Sequence, residues 1–146
     1  MRALLCAAAL ALPALPAGAD CRLALALAMD VSRSIDGRDY RVLTGGLADA
    51  LADPAVRRAF LSGDAPVALS VYEWSGASDQ SLIQDWVLIG SESDLYRISE
   101  RIRGLDRQTA RHLTALGAAL SWGRAHLDRA PPCRNRVIDV AGDGQN

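Results

Sequence analysis

The stretch "LALALAMDVSRSID", residues 23–36, decides the fold. An unbroken apolar run, residues 23–29, stops at an acid, Asp30, and two serines follow at alternate positions, Ser32 and Ser34. The length of the run suits a strand buried on both faces, as the strands of a parallel sheet are. Alanine and leucine by themselves favour helix, but the next segment argues for strand. Asp36 has the position of a helix N-cap, with Asp39 three residues on. Behind it Tyr40, Leu43, Leu47 and Leu51 recur at helical spacing.

The rest of the chain repeats this alternation. Pro54 ends the first helix, and "AVRRAFLSG" follows as a short turn or helix. "PVALSVYEWSG" is β-branched and aromatic and reads as a second strand closed by Gly76; "SLIQDWVLIG" reads as a third. The short, mostly polar joint "ASDQ" between them allows a hairpin but not a parallel crossover. "SESDLYRISERIRGL" is a second amphipathic helix, and residues 106–113 form an arginine-rich loop. "TALGAALSWGRAHLDRA" is a third helix, stopped by Pro131 and Pro132. "RNRVIDVAGDGQN" is a fourth strand running into Gly-Asp-Gly. This order predicts an α/β fold with a mostly parallel sheet. Ligands of such sheets bind beyond the carboxyl ends of the strands, and Asp30 and Asp143 both stand at such ends.

Composition narrows the function classes. The chain has 146 residues and a formal net charge of −1, with every basic residue an arginine. No general electrostatic attraction to nucleic acid follows from that balance. Arg2, the apolar "ALLCAAALALPALP" and the small residues Ala17, Gly18 and Ala19 have the order of a cleavable signal peptide. Its two prolines and short length argue against a membrane span. The expected organisation is a leader over residues 1–19 and a secreted or periplasmic domain over residues 20–146. The mature chain would keep Cys21 and Cys133 in a compartment where disulfides persist. These two cysteines and the distant His112 and His126 make no zinc pattern.

Asp30, Ser32 and Ser34 invite a chemical reading. Fully extended, i to i+4 spans roughly 13 Å, too far for both ends to reach one small cation. The chain must curl over the strand end, and it then presents a carboxylate and two hydroxyls to one point. All-oxygen ligation suits Mg²⁺ or Mn²⁺. The plainer alternative is that Ser34 and Asp36 cap the helix and Ser32 is a turn residue. Asp143, in "VIDVAGDG", and Thr114, in "TALGAAL", supply further oxygens, although each alone is ordinary: a turn acid before Gly144 and a helix N-cap.

Together, "AMDVSRS", "LTALGAAL" and "VIDVAGDG" resemble the von Willebrand factor type A (vWA) domain with its metal-ion-dependent adhesion site (MIDAS). "DVSRSIDGRDY", "VYEWSG" and "VIDVAGDGQN" look like a bacterial exported branch of unknown function, domain of unknown function 1194. The resemblance implies a Rossmann-like vWA fold, with a mostly parallel sheet, one antiparallel edge strand and helices on both faces. A complete domain of that kind continues past the Gly-Asp-Gly strand, so the chain is expected to be a partial domain. The resemblance also implies roles. Ser32 and Ser34 bind the metal directly, Thr114 directly or through water, and Asp30 and Asp143 mainly through waters. With few anionic ligands the ion stays electrophilic, and a carboxylate from a protein partner completes its octahedron. No nucleophile or general base is needed, so no enzymatic activity is implied.

His112 and Leu113 stand where the family pattern has glycines, which makes Thr109 a fallback ligand. The runner-up function is a haloacid-dehalogenase-like phosphatase with Asp30 as nucleophile, suggested by "AGDGQN". It lacks the second acid, since Ser32 holds that place, and it lacks a lysine. Glu73 reads as a group beside the site or an edge-facing acid. Arg107 and Arg111 read as a solvated loop or as contacts for an acidic partner. Trp74, Trp86 and Trp122 read as packing residues. Asp139, mid-strand, needs a partner if buried. Counting gives one more expectation. Cys21 precedes Asp30 by nine residues and Cys133 precedes Asp143 by ten. If both acids serve one metal, the two strands run side by side in near register, and a Cys21–Cys133 disulfide closes their far ends.

Overall fold

The apolar run forms β1, Cys21–Asp30, and it lies inside a four-stranded sheet. The computed structural model describes residues 21–107 and 113–142. β2, Val67–Trp74, pairs parallel with one side of β1, and β4, Cys133–Ala141, pairs parallel with the other. β3, Gln80–Ile89, returns antiparallel along the outside of β2, giving the order β3-β2-β1-β4. The hairpin read from the short "ASDQ" joint is therefore present. The register Asp30↔Trp74 and Met29↔Ala141 brings the carboxyl ends of the three parallel strands to one edge.

The alternation of leucine and alanine in β1 assigns its two faces. Leu25, Leu27 and Met29 point to one side and join Leu69, Val71 and Ile89 in the larger core. Two helices cover that core: α1, Gly37–Ala52, through Ala48 and Leu51, and α3, Glu92–Arg103, through Leu95, Ile98 and Ile102. Ala26 and Ala28 point to the other side, where Tyr72, Trp74 and Ala119 of α4, Leu116–Leu127, complete a smaller cluster. Small side chains there let α4 come close. A Cβ added at Gly123 would fall inside the Tyr72 hydroxyl and 2.9 Å from the Ile138 methyl, so the helix rests its glycine on the sheet.

Helix ends follow the sequence signals. Asp36 accepts from the amides of Arg38 and Asp39, and the Asp39 side chain returns the bond to the Asp36 amide, a complete capping box. The segment after Pro54 is a helix, α2, Pro54–Leu61, capped by Asp53 with proline in its first turn. The buried stripe of α1 is Tyr40, Thr44, Ala48 and Leu51, with Leu43 and Leu47 only partly buried beside it. The expected helix start at Thr114 is displaced: α4 begins at Leu116, and no side chain caps it.

Cys21 and Cys133 face each other in register and form a disulfide, with Cα atoms 4.5 Å apart. It lies at the end of the sheet opposite Asp30, as the counting requires. Asp139 is exposed on β4 and needs no buried partner. Val137 and Val140 of the same strand are 43% and 38% exposed. Among the described residues no helix is long and apolar enough to cross a membrane.

Candidate functional site at the strand ends

Asp30 is the last residue of β1 and only 2% exposed. The chain keeps to β2 for one more step, with the Val31 amide donating to the Trp74 carbonyl at 2.9 Å. It then turns, and the Ile35 amide donates back to the Ser32 carbonyl at 3.0 Å. This is the curl that the Asp-x-Ser-x-Ser spacing demands. The Asp30 carboxylate holds it, because Oδ1 accepts from the Ser32 amide at 2.8 Å. Its other oxygen lies against the end of β4, where a Cβ on Gly142 would come within 2.9 Å of the Asp30 Cβ and 3.0 Å of Oδ2. Only glycine fits there without displacing Asp30.

The turn brings the hydroxyls together. Ser32 and Ser34 place their Oγ atoms 3.2 Å apart, and Thr114 donates its hydroxyl to Ser32 Oγ at 3.0 Å. Thr114 therefore does not cap its helix; its hydroxyl crosses 82 positions of sequence to the first turn. Its place is fixed by the next residue, whose amide donates to the Ser75 carbonyl at 2.9 Å. Asp143, the fallback ligand Thr109, and Arg111 lie outside the described residues.

Neighbouring groups brace the turn. Glu73 is not edge-facing as one reading of the sequence had it: β2 is an interior strand and the residue is only 7% exposed. Tyr40 of α1 donates to its Oε1 at 2.5 Å, on the face of the sheet away from α4. Burial pushes the Glu73 carboxyl above its ordinary range and the Tyr40 bond pulls it part of the way back. Burial and that same carboxylate push the Tyr40 phenol upward. Arg107 is half-buried rather than solvated and donates to the Ile35 carbonyl at 2.5 Å, tying the segment just after α3 to the serine turn. Arg38 and Asp39 amides hold the exposed Asp36 carboxyl below its usual range, as an N-cap should be. Tyr40 and Gly142 were not singled out from the sequence. Their signals, a tyrosine four residues past an N-cap and a glycine just before Asp143, are too common to stand out.

The donor set can be tested against a metal. Among the described residues no group of three or more His, Cys, Asp or Glu side chains stands close enough to hold an ion. A site of the acid-rich or zinc-finger kind is thus not present in them. A hydroxyl cluster has another signature. Oxygens on adjacent vertices of an octahedral Mg²⁺ shell, at about 2.1 Å from the ion, stand about 3.0 Å apart. The Thr114–Ser32 and Ser32–Ser34 separations are 3.0 and 3.2 Å, lengths that suit adjacent vertices of such a shell as well as the hydrogen bonds the hydroxyls make to one another.

The architecture has known counterparts. Proximal thread matrix protein 1 of the mussel byssus superposes with a TM-score of 0.61 at 19% identity over 88% of this chain and 31% of that one. Another structure of it, described as having a zinc-occupied MIDAS motif, gives 0.57 at 16% identity over 84% and 29%. The vWF domain of the type V pili tip protein Mfa5 from Porphyromonas gingivalis gives 0.57 at 15% identity over 87% and 39%. The chain therefore spans well under half the length of these structures, and at such identities the likeness shows the fold alone. No curated protein matches the sequence. A sequence profile described as "Protein of unknown function (DUF1194)" matches residues 20–146, so the chain belongs to that family, on a vWA-like fold.

Proposed function

We propose that this chain is an exported protein-binding module that works through a Mg²⁺ or Mn²⁺ ion at the strand ends. Ser32, Ser34 and Thr114 supply hydroxyls to the ion, and Asp30 and Asp143 act through waters and hydrogen bonds. The remaining position takes a carboxylate from a protein partner. The observation that carries this reading is the convergence of three hydroxyls from two distant segments at octahedral-edge spacing. Neutral oxygens leave an ion's charge poorly compensated, which favours an added carboxylate. The zinc-occupied MIDAS described for the mussel protein supports divalent-ion use on this fold. The leader over residues 1–19 belongs to the same proposal, as does a mature chain starting at Asp20.

Calorimetry on the mature chain tests the site. Mg²⁺ or Mn²⁺ should bind, and Ser32→Ala with Ser34→Ala should lower the affinity by more than about tenfold. Equal affinity in the double variant sinks the proposal. N-terminal sequencing of protein recovered from the periplasm tests the leader, with Asp20 as the expected first residue. For the phosphatase alternative no observation speaks. Asp30 is buried, and its Oδ1 is already committed to the Ser32 amide.

A further inference from the structure

Away from the strand ends, the underside of α4 buries a titratable group that the proposed site does not use. His126 is 1% exposed. Its ring lies between two indoles, Trp86 of β3 and Trp122 of α4, with centroids 4.9 and 5.0 Å away and planes tilted by 16° and 21°. Nε2 is 2.7 Å from the Ser70 hydroxyl, and Nδ1 is 2.9 Å from the Arg129 guanidinium. The hydrogens can be assigned. Ser70 donates to the Gln84 carbonyl at 2.7 Å, so its oxygen accepts from His126 Nε2–H. A guanidinium can only donate, so Nδ1 must accept. The bonding therefore requires a neutral imidazole.

The backbone is shaped around this contact. Between Leu69↔Val87 and Val71↔Gln84, β3 carries one residue more than β2, a bulge whose single opposing residue is Ser70. The bulge sets Trp86 against the histidine, and the Trp86 indole N–H donates to the His126 carbonyl at 3.0 Å. Side chain, backbone and both rings thus fasten one turn of α4 to the sheet.

We propose that Ser70, His126 and Arg129, clasped by Trp86 and Trp122, form an acid-released latch that fastens α4 to the sheet. Protonation at Nδ1 replaces an acceptor with a donor facing a guanidinium, and it puts two cations in contact. Burial and Arg129 both lower the pKa of His126. The charged groups facing the ring are Arg129 and, 3.9 Å from Nε2, Asp85, which pulls the other way. Asp85 is 72% exposed, so water screens it. The indole faces also favour a cation, but they cannot restore the lost hydrogen bond. With the folded value lowered, the latch is intact above the unfolded pKa of about 6.5 and weakens as pH falls below it. This inference stands apart from the metal reading.

The test uses the disulfide-bonded mature chain with His112→Gln, which leaves His126 the only histidine. Urea unfolding and amide hydrogen exchange are followed at pH 7, 6 and 5. The folded-to-unfolded ratio should fall by up to about tenfold per pH unit below pH ~6.5. That slope should flatten in His126→Phe and, because the opposing cation is gone, also in Arg129→Gln. On acidification α4 amides should lose protection before those of α1. Arg129 is exposed, so its variant decides even if His126→Phe does not fold. Equal slopes in parent and Arg129→Gln, an imidazole titrating at or above 6.5 by NMR, or α4 and α1 losing protection together would overturn the latch.

Discussion

Tyr40 and Glu73 make a small device whose behaviour can be worked out with sign. Burial raises the folded pKa of Glu73, so between the unfolded value and the folded one the native state holds the extra proton. That part of the stability is fully present below the unfolded pKa and is lost as pH rises through the folded one. Tyr40→Phe removes the hydrogen bond that lowers it. The variant should lose about 1–3 kcal/mol near pH 7, where the carboxylate is left without its donor, and less near pH 4.5. Urea unfolding at the two pH values measures the difference. Gly142→Ala should act on Asp30 from the other side. Its Cβ has no room, and an overpacked contact costs about 1–3 kcal/mol. Because Asp30 holds the serine turn, ion affinity should fall with stability, and calorimetry on the variant reads both.

At the scale of elements, α4 is a helix positioned by what it lacks. Gly123→Ala should push it off Tyr72 and Ile138 and cost about 1–3 kcal/mol, measurable as a lower thermal midpoint. On β4, the outer strand of the described sheet, Val137 and Val140 are exposed, and apolar residues on an edge strand favour association. Val137→Lys with Val140→Lys should lower the association seen by light scattering while leaving the unfolding midpoint nearly unchanged. Periodicity and turn chemistry were enough to read most of these elements. The capping box, the hairpin joint and the leucine–alanine alternation are local signals, and local signals survive in a sequence. Thr114 shows where they stop. A threonine before an apolar helical pattern has the form of an N-cap, yet its hydroxyl goes to Ser32. That choice is made by the Ser75 carbonyl holding the following amide, a contact between segments that no local pattern encodes. Glu73 was ambiguous for the same reason. Whether a strand-end acid faces water depends on which strands flank it. His126 was legible only as a histidine too far from the cysteines for zinc.

For the whole molecule, the Cys21–Cys133 bridge closes a loop with a sequence separation of 112. In the chain-entropy description a loop of that size is worth roughly 4–5 kcal/mol. Cys21→Ser with Cys133→Ser should lower stability by an amount of that order. It should leave ion affinity of the folded protein within about twofold, because the bridge and the strand-end site are at opposite ends of β1. Denaturant midpoints and calorimetry on the same preparation separate the two effects, and thiol labelling of the denatured, unreduced parent should find no free thiol among Cys21 and Cys133. The bridge also decides how the fold answers to force. A pull applied ahead of Cys21 and beyond Cys133 passes straight through the sulfur–sulfur bond and along β4. Residues 22–132, which include every described helix, the other three strands but for Cys21 itself and the Ser32–Ser34–Thr114 hydroxyls, hang in a covalent bight that tension cannot straighten. Under mechanical load β4 alone of the described elements peels, and the length it releases at rupture should be no more than that of its 9 residues until the bridge is reduced.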